Sequence, residues 1–280
     1  MDSGVWKKMS AVETSADGQE TLRLKPLTFL PALAVFLGLG VWMRVCIYNL
    51  IPFLLGLGLH QFSAYLAGFI VGLSPFLPLA VVFLKQEGHP LGRTSLAKRL
   101  GFQRFRARHF ALMIGLTVLA YATTILASPT QTWFISLSTW VQPGDVFHPL
   151  QVPGSASDSL IESSVAWMGP DAAGYWAWVL AIIVLFIFNI LGEELLWRGA
   201  IWPRQELIYG ERTWLVHGFM WYLFHLPFYP WFVISGLPQA LILSYLFQKT
   251  KNMWLVIIMH AIFNSVFYVI MLMIVLGVVQ

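Results

Sequence analysis

Three short clusters carry residue types able to do chemistry in surroundings that otherwise lack them. The first is Gly192-Glu193-Glu194-Leu195-Leu196-Trp197-Arg198-Gly199, which follows an apolar run with no polar linker. A charge at the centre of a bilayer costs about 2.5 to 3.5 kcal/mol on insertion scales, less near an interface, so three together need partners or a task. On a helix Glu194 and Arg198 share a face four residues apart, with the acid on the favourable N-terminal side. Glu193 points roughly 100° away, as about 3.6 residues per turn requires. It lacks a local cation and is free to exchange a proton with water. A plain ion network at a helix end is the alternative for this cluster taken alone.

The second cluster is His225, with Trp221 one turn earlier to brace the imidazole. His217, two turns before His225, is a weaker candidate nearer the expected interface. The third is His260-Ala261-Ile262-Phe263-Asn264, where an imidazole and a carboxamide four residues apart face one direction and can both donate hydrogen bonds. Ordinary explanations exist for each: a packing histidine for His225, and for His260 with Asn264 an interhelical clamp worth about 1 kcal/mol. Together they suit hydrolysis. A carboxylate and a histidine activate water, while a second histidine and an amide stabilise the oxyanion formed as water attacks a carbonyl.

The elements that must position these residues are membrane helices. Of 280 residues 58% are hydrophobic and 11% charged, against roughly half and a quarter in soluble chains. The apolar residues fall in runs of about 20, enough to cross a hydrocarbon core roughly 30 Å thick. Seven spans are expected: Leu27 to Tyr48, Phe62 to Leu84, Phe110 to Ala127, Tyr175 to Leu191, Trp214 to Phe232, Gly236 to Phe247 and Trp254 to Leu276, with an eighth crossing left open. The fold class is an all-α polytopic bundle. A polar cytoplasmic segment over residues 1–26 precedes a membrane domain over 27–280, whose motif-bearing core is about 175–276. Pro75 and Pro78 predict a kink in the second span, and the sixth is short enough to be tilted, buried or re-entrant.

Lys85, Arg93, Lys98, Arg99, Arg104, Arg106 and Arg108 crowd the loop between the second and third spans, which the positive-inside rule assigns to the cytoplasm. The segment from Ser128 to Gly174 has no Lys or Arg and belongs on the other side, its Gln142 to Ser159 stretch reading as an irregular external loop able to act as a lid. Lys7, Lys8, Arg23 and Lys25 then put the N-terminus inside, and no cleaved signal peptide is evident. The site residues are expected to line a cavity open to cytoplasmic water. Thr94 to Arg108 mixes basic and apolar residues, which suits a helix on anionic headgroups better than a nucleic-acid surface. Cys46 is the single cysteine, so an internal disulfide and a thiolate metal cluster are excluded.

In order and spacing the three clusters resemble the family of membrane proteins that includes type II CAAX prenyl proteases and bacteriocin-processing or self-immunity proteins, the CPBP intramembrane proteases. Its pattern is two adjacent glutamates with an arginine four residues on, an aromatic four before a histidine, and a histidine four before an asparagine: here Glu193, Glu194 and Arg198; Trp221 and His225; His260 and Asn264. The likeness covers roughly Leu180 to Val266, and Trp221 stands where phenylalanine is commoner. The resemblance implies that Glu193 with His225 polarises the attacking water, that His260 with Asn264 forms the oxyanion site, and that Glu194 and Arg198 support the arrangement. It implies no required cofactor on the glutamate-type reading favoured here; a catalytic zinc ion held by Glu193, His225 and His260 is the alternative. The expected activity is hydrolysis of a peptide bond in a membrane-associated protein or peptide, without commitment to a prenylated one. The expected location is a bacterial inner (plasma) membrane, with the endoplasmic reticulum second. A proton-coupled transporter and a non-catalytic immunity or scaffold protein are the other classes, and the sequence implies no oligomeric state.

Overall fold

A computed structural model of the chain describes residues 24–87, 93–104, 106–137, 146–147, 149–151 and 160–279. Residues 1–23, and with them nearly all of the expected polar segment, lie outside the described residues, as does most of the Gln142 to Ser159 loop. Among the described residues every regular element is helical.

The first apolar run forms α1 (Phe29–Val45), a π-helical turn at Cys46–Leu50 and α2 (Ile51–Gly56), continuous as Phe29–Gly56. Pro52 brings no amide to the ladder, and the wider turn immediately precedes it. α3 (Gln61–Leu73) and α4 (Phe76–Gln86) share one apolar stretch interrupted at Ser74 and Pro75, where the kink was expected. A short α5 (Arg93–Arg99) leads to α6 (Ala107–Ala127). Two further short helices, α7 (Pro129–Leu137) and α8 (Leu160–Met168), flank the long loop. The motif region comprises α9 (Trp176–Phe186), π-helical segments at Ile187–Gly192 and Leu195–Ile201, α10 (Trp202–Tyr209), α11 (Thr213–His225), α12 (Gly236–Thr250) and α13 (Met253–Val275).

Among the described residues five stretches are long and apolar enough to cross a membrane: Phe29–Gly56, Gln61–Gln86, Ala107–Ala127, Trp176–His225 and Met253–Val275. The chain is a multi-pass membrane protein. Seven spans were expected, and the difference lies in the fourth to sixth. The fourth continues through the π-helical segments to Tyr209, and Gly210, at φ 53°, starts the turn into α11. The expected fifth span to Phe232 stops at His225, because Pro227 and Pro230 follow within five residues and proline cannot continue a helix. α11 and α12 have 13 and 15 residues, about 20 and 22 Å of helix, short of a hydrocarbon core of roughly 30 Å. They pack against each other as a hairpin whose tip, residues 226–235, is buried or half-buried except at Ile234. Irregular backbone at membrane depth is tolerated where protein covers it or a cavity adjoins it.

The basic end of the bundle is tied together by a buried ion cluster. Glu87, at the end of α4, accepts both Nε and Nη2 of Arg99 at 2.8 Å and lies 3.3 Å from Nη2 of Arg204. Arg99 also donates to the carbonyl of Gly199, and Arg204 to those of Lys25 and Phe83. Just beyond, the amide of Met253 donates to the Gly101 carbonyl, the Asn252 side chain donates to the Gln103 carbonyl and the Gln103 side chain to the Lys251 carbonyl. Gly101 sits at φ 79°, and a Cβ there would stand 2.8 Å from the Lys251 carbonyl oxygen, so only glycine fits this approach. The expected surface helix over Thr94 to Arg108 is thus shorter than expected: it ends at Arg99, Ala107 and Arg108 already belong to α6, and Arg99 is buried in protein instead of facing headgroups.

Replacing Glu87 by Gln leaves two buried guanidinium groups without their carboxylate. Thermal unfolding in detergent is expected to show a loss of about 3–5 kcal/mol, the usual consequence of removing one member of a buried pair.

Candidate active site

The two glutamates lie between the π-helical segments Ile187–Gly192 and Leu195–Ile201. π-turns are rare, appear mostly as single turns inside α-helices, and are frequent at functional sites. The pairing expected from helical spacing is present: Arg198 Nη1 donates to Glu194 Oε1 at 3.1 Å, both side chains fully buried. Glu193, expected to lack a local cation, accepts neutral donors: the indole N–H of Trp197 at 3.3 Å and that of Trp221 at 3.0 Å, both on Oε2. Trp197, four residues after Glu193, escaped the sequence reading although its helical spacing was the available signal.

Glu194 is bound more tightly into the site than its supporting role implied. The same Oε1 that meets Arg198 accepts His260 Nδ1 at 2.8 Å. A carboxylate can only accept, so Nδ1 is the protonated nitrogen and Nε2 is the one left for other partners. His225 is held in the same way by its own helix, its Nδ1 donating to the Trp221 carbonyl at 2.8 Å. That leaves Nε2 able to take a proton when the ring is neutral.

Trp221 joins these parts. Besides bonding Glu193 and His225, its ring lies 4.2 Å from the Arg198 guanidinium carbon and within edge contact of both imidazoles, 5.0 Å from His225 and 5.4 Å from His260 between centroids. The sequence identified it only as an aromatic brace. An indole, unlike a phenyl ring, also supplies the N–H that Glu193 accepts.

Asn264 donates its amide nitrogen to the carbonyl of His260 at 3.1 Å. The NH2 group has a second hydrogen, and Asn264 lines the cavity. Arg198 Nη2 reaches Ser244 Oγ at 3.4 Å on α12, a contact that no sequence spacing announced. His217 is fully buried and apart from this group: its Nδ1 bonds Gln205 Oε1 at 2.6 Å, its ring packs on Phe36 and Trp202, and it does not line the cavity.

Glu193, His225, His260 and Asn264 line one cavity of about 280 Å³, so α11, α13 and the π-helical region deliver their polar side chains to a common space. Leu73, Phe228, Phe263 and Phe267 form apolar walls. A polar string crosses the far end, where Tyr65 O–H donates to Gln151 Oε1 and Gln151 Nε2 donates to Tyr229 O–H. The lining includes both Glu193 and Gln151. Trp197, Arg198, Gly199, Ala200, Ile201 and Trp202 are buried and do not line it; Arg99 bonds the Gly199 carbonyl, and Gly101 meets Met253.

Among the described residues no group of three His, Cys, Asp or Glu side chains is placed to hold a metal ion. In both imidazoles Nδ1 is engaged, on Glu194 for His260 and on the Trp221 carbonyl for His225, and Nε2 is the nitrogen left for other partners.

Residues 175–266 match the model of the family described as Type II CAAX prenyl endopeptidase Rce1-like. No curated protein and no solved structure matches the chain. The matched residues take in all three motifs and every side chain bonded to Glu193 or Glu194.

Trp221→Phe removes the N–H while keeping a ring against Arg198 and His225. The fold is expected to lose about 1.5–3 kcal/mol, the usual worth of a buried hydrogen bond to a carboxylate, seen as a lowered unfolding midpoint relative to wild type.

Proposed function

We infer that this chain, which belongs through residues 175–266 to the Rce1-like family of type II CAAX prenyl endopeptidases, is an intramembrane endopeptidase that hydrolyses a peptide bond in a membrane-associated protein or peptide. The observation that carries the reading is the convergence of Glu193, His225, His260 and Asn264 on one cavity within a largely apolar bundle. Single polar residues in membrane helices are ordinary clamps; four from three elements facing one space suit a reaction.

Glu193 and His225 share no direct hydrogen bond, and Trp221 bonds them both. A water seated between the Glu193 carboxylate and His225 Nε2 gives up a proton to this pair as its oxygen attacks the scissile carbonyl. The carbonyl oxygen becomes an oxyanion, and the groups that would stabilise it are the second Asn264 amide hydrogen and the His260 imidazolium, which carries a hydrogen on Nε2 as well as on Nδ1. The proton then passes to the departing amine as the C–N bond breaks, leaving a carboxyl and an amino terminus. Glu194 and Arg198 act on the arrangement from behind, orienting His260 through Nδ1 in the manner of a carboxylate that fixes a catalytic imidazole. In this glutamate-type mechanism side chains and water carry every step.

The test compares new peptide termini, by mass spectrometry, in membrane fractions from cells making wild-type protein and Glu193→Gln at matched levels. The substitution keeps size and removes the carboxylate. Termini present with wild type and reduced by at least about 100-fold in the variant are the expected outcome and identify the substrate. Identical termini in both, at a depth that resolves scarce membrane proteins, defeat the peptidase reading and leave a transporter or a non-catalytic scaffold.

A further inference from the structure

Arg44 is a charged residue within the first apolar helix, remote in sequence from all three motifs. Its guanidinium Nη1 donates to the carbonyl of Pro227 at 2.7 Å, in the segment that directly follows His225. One turn further along, Tyr48 O–H donates to the Phe228 carbonyl at 3.3 Å, and the guanidinium carbon lies 4.5 Å from the centre of the Tyr48 ring. One turn before Arg44, Gly40 permits a close approach: a Cβ there would meet the Phe224 carbonyl oxygen at 2.4 Å and the Pro227 ring at 3.1 Å. Gly40, Arg44 and Tyr48, four residues apart on one helical face, make a track on which residues 224–228 rest.

The need for this track follows from where α11 stops. His225 is its last residue, about 18 Å from the start of the helix at Thr213, and the terminal carbonyls of a helix have no donors from the helix itself. In a bilayer water cannot reliably supply them. Trp221 O receives the His225 ring, and His225 O receives the amides of Phe228 and Tyr229. In the turn that follows the helix, the carbonyls of Pro227 and Phe228 receive the side chains of Arg44 and Tyr48. A cation is also the favourable charge at a helix C-terminus.

We propose that Arg44 is a positioning residue for His225: by holding the Pro227 carbonyl it fixes the end of α11 and so sets how the His225 imidazole meets the cavity. The functional side of this assignment rests on the reading that His225 activates water; the structural side does not. Lysine can donate to the same carbonyl without the planar fork and retains part of the effect, whereas methionine keeps the bulk and loses the donor.

The experiment uses full-length protein with isotopically labelled histidine in lipid nanodiscs, the His225 imidazole signals being identified by their loss in His225→Gln. Arg44→Met is expected to shift or broaden those signals and leave those of His217 in place, Arg44→Lys to return them toward wild type, and Tyr48→Phe to move them less. On the substrate identified by Glu193-dependent termini, Arg44→Met is expected to lower kcat by about 100-fold, the scale of a misplacement near 1 Å, with KM little changed. Unmoved His225 signals in Arg44→Met overturn the proposal. If Arg44→Met does not accumulate in membranes, Tyr48→Phe decides, and unmoved His225 signals there overturn it equally. If the signals move as expected while wild type and Glu193→Gln yield the same termini, the peptidase reading has failed and the positioning role stands.

Discussion

A carboxylate and a guanidinium held at zero exposure among apolar helices set the terms for this structure. Glu194 and Arg198 share a helix, so their attraction costs little ordering, yet one pair does not use all the donors and acceptors present. The remaining valences recruit other elements: His260 from α13, Ser244 from α12 and the face of Trp221 from α11. Each recruitment fixes a helix against the Glu194 turn. The cavity is the space left beside that junction, which is why Glu193, one residue away, opens onto it. The demand that buried charge be partnered and the geometry of the candidate site are one constraint.

The second governing demand comes from the backbone. A helix that ends inside a bilayer must have its carbonyls satisfied by protein. α11 ends there because prolines follow; a histidine ring and two backbone amides meet carbonyls of its last turn, and an arginine and a tyrosine meet those of Pro227 and Phe228 just beyond it. This irregular tip brings His225, Phe228 and Tyr229 to the cavity wall together.

Charge at the basic end acts at a distance from the cavity. Glu87, Arg99 and Arg204 bond the end of α4 to the carbonyl of Gly199, within the π-helical turn that follows the glutamates. The docking of Gly101 on Met253 ties the same segment to the first residue of the helix that carries His260. Both motif helices are thereby anchored at the basic end, while Tyr65, Tyr229 and Gln151 are among the residues that line the cavity.

The sequence by itself determined the apolar spans, their helical character and the local pairs, because hydrophobic runs and a period near 3.6 are properties of neighbouring residues. Arg198 on Glu194 and Trp221 against His225 were legible for that reason, as was the kink at Pro75. Only the tertiary structure decided which residues from separate helices meet. That Glu194 bonds His260, that the Trp221 indole bonds Glu193, that Arg44 holds the segment after His225, and that Arg99 bonds the Gly199 carbonyl all depend on contacts across 28 to 183 residues of chain. The shortness of α11 also escaped hydropathy, since Phe228, Trp231 and Phe232 are as apolar as a spanning helix requires while Pro227 and Pro230 forbid the helix itself. Hydropathy reports what a residue prefers to be near, and partner and depth follow only once the helices have packed.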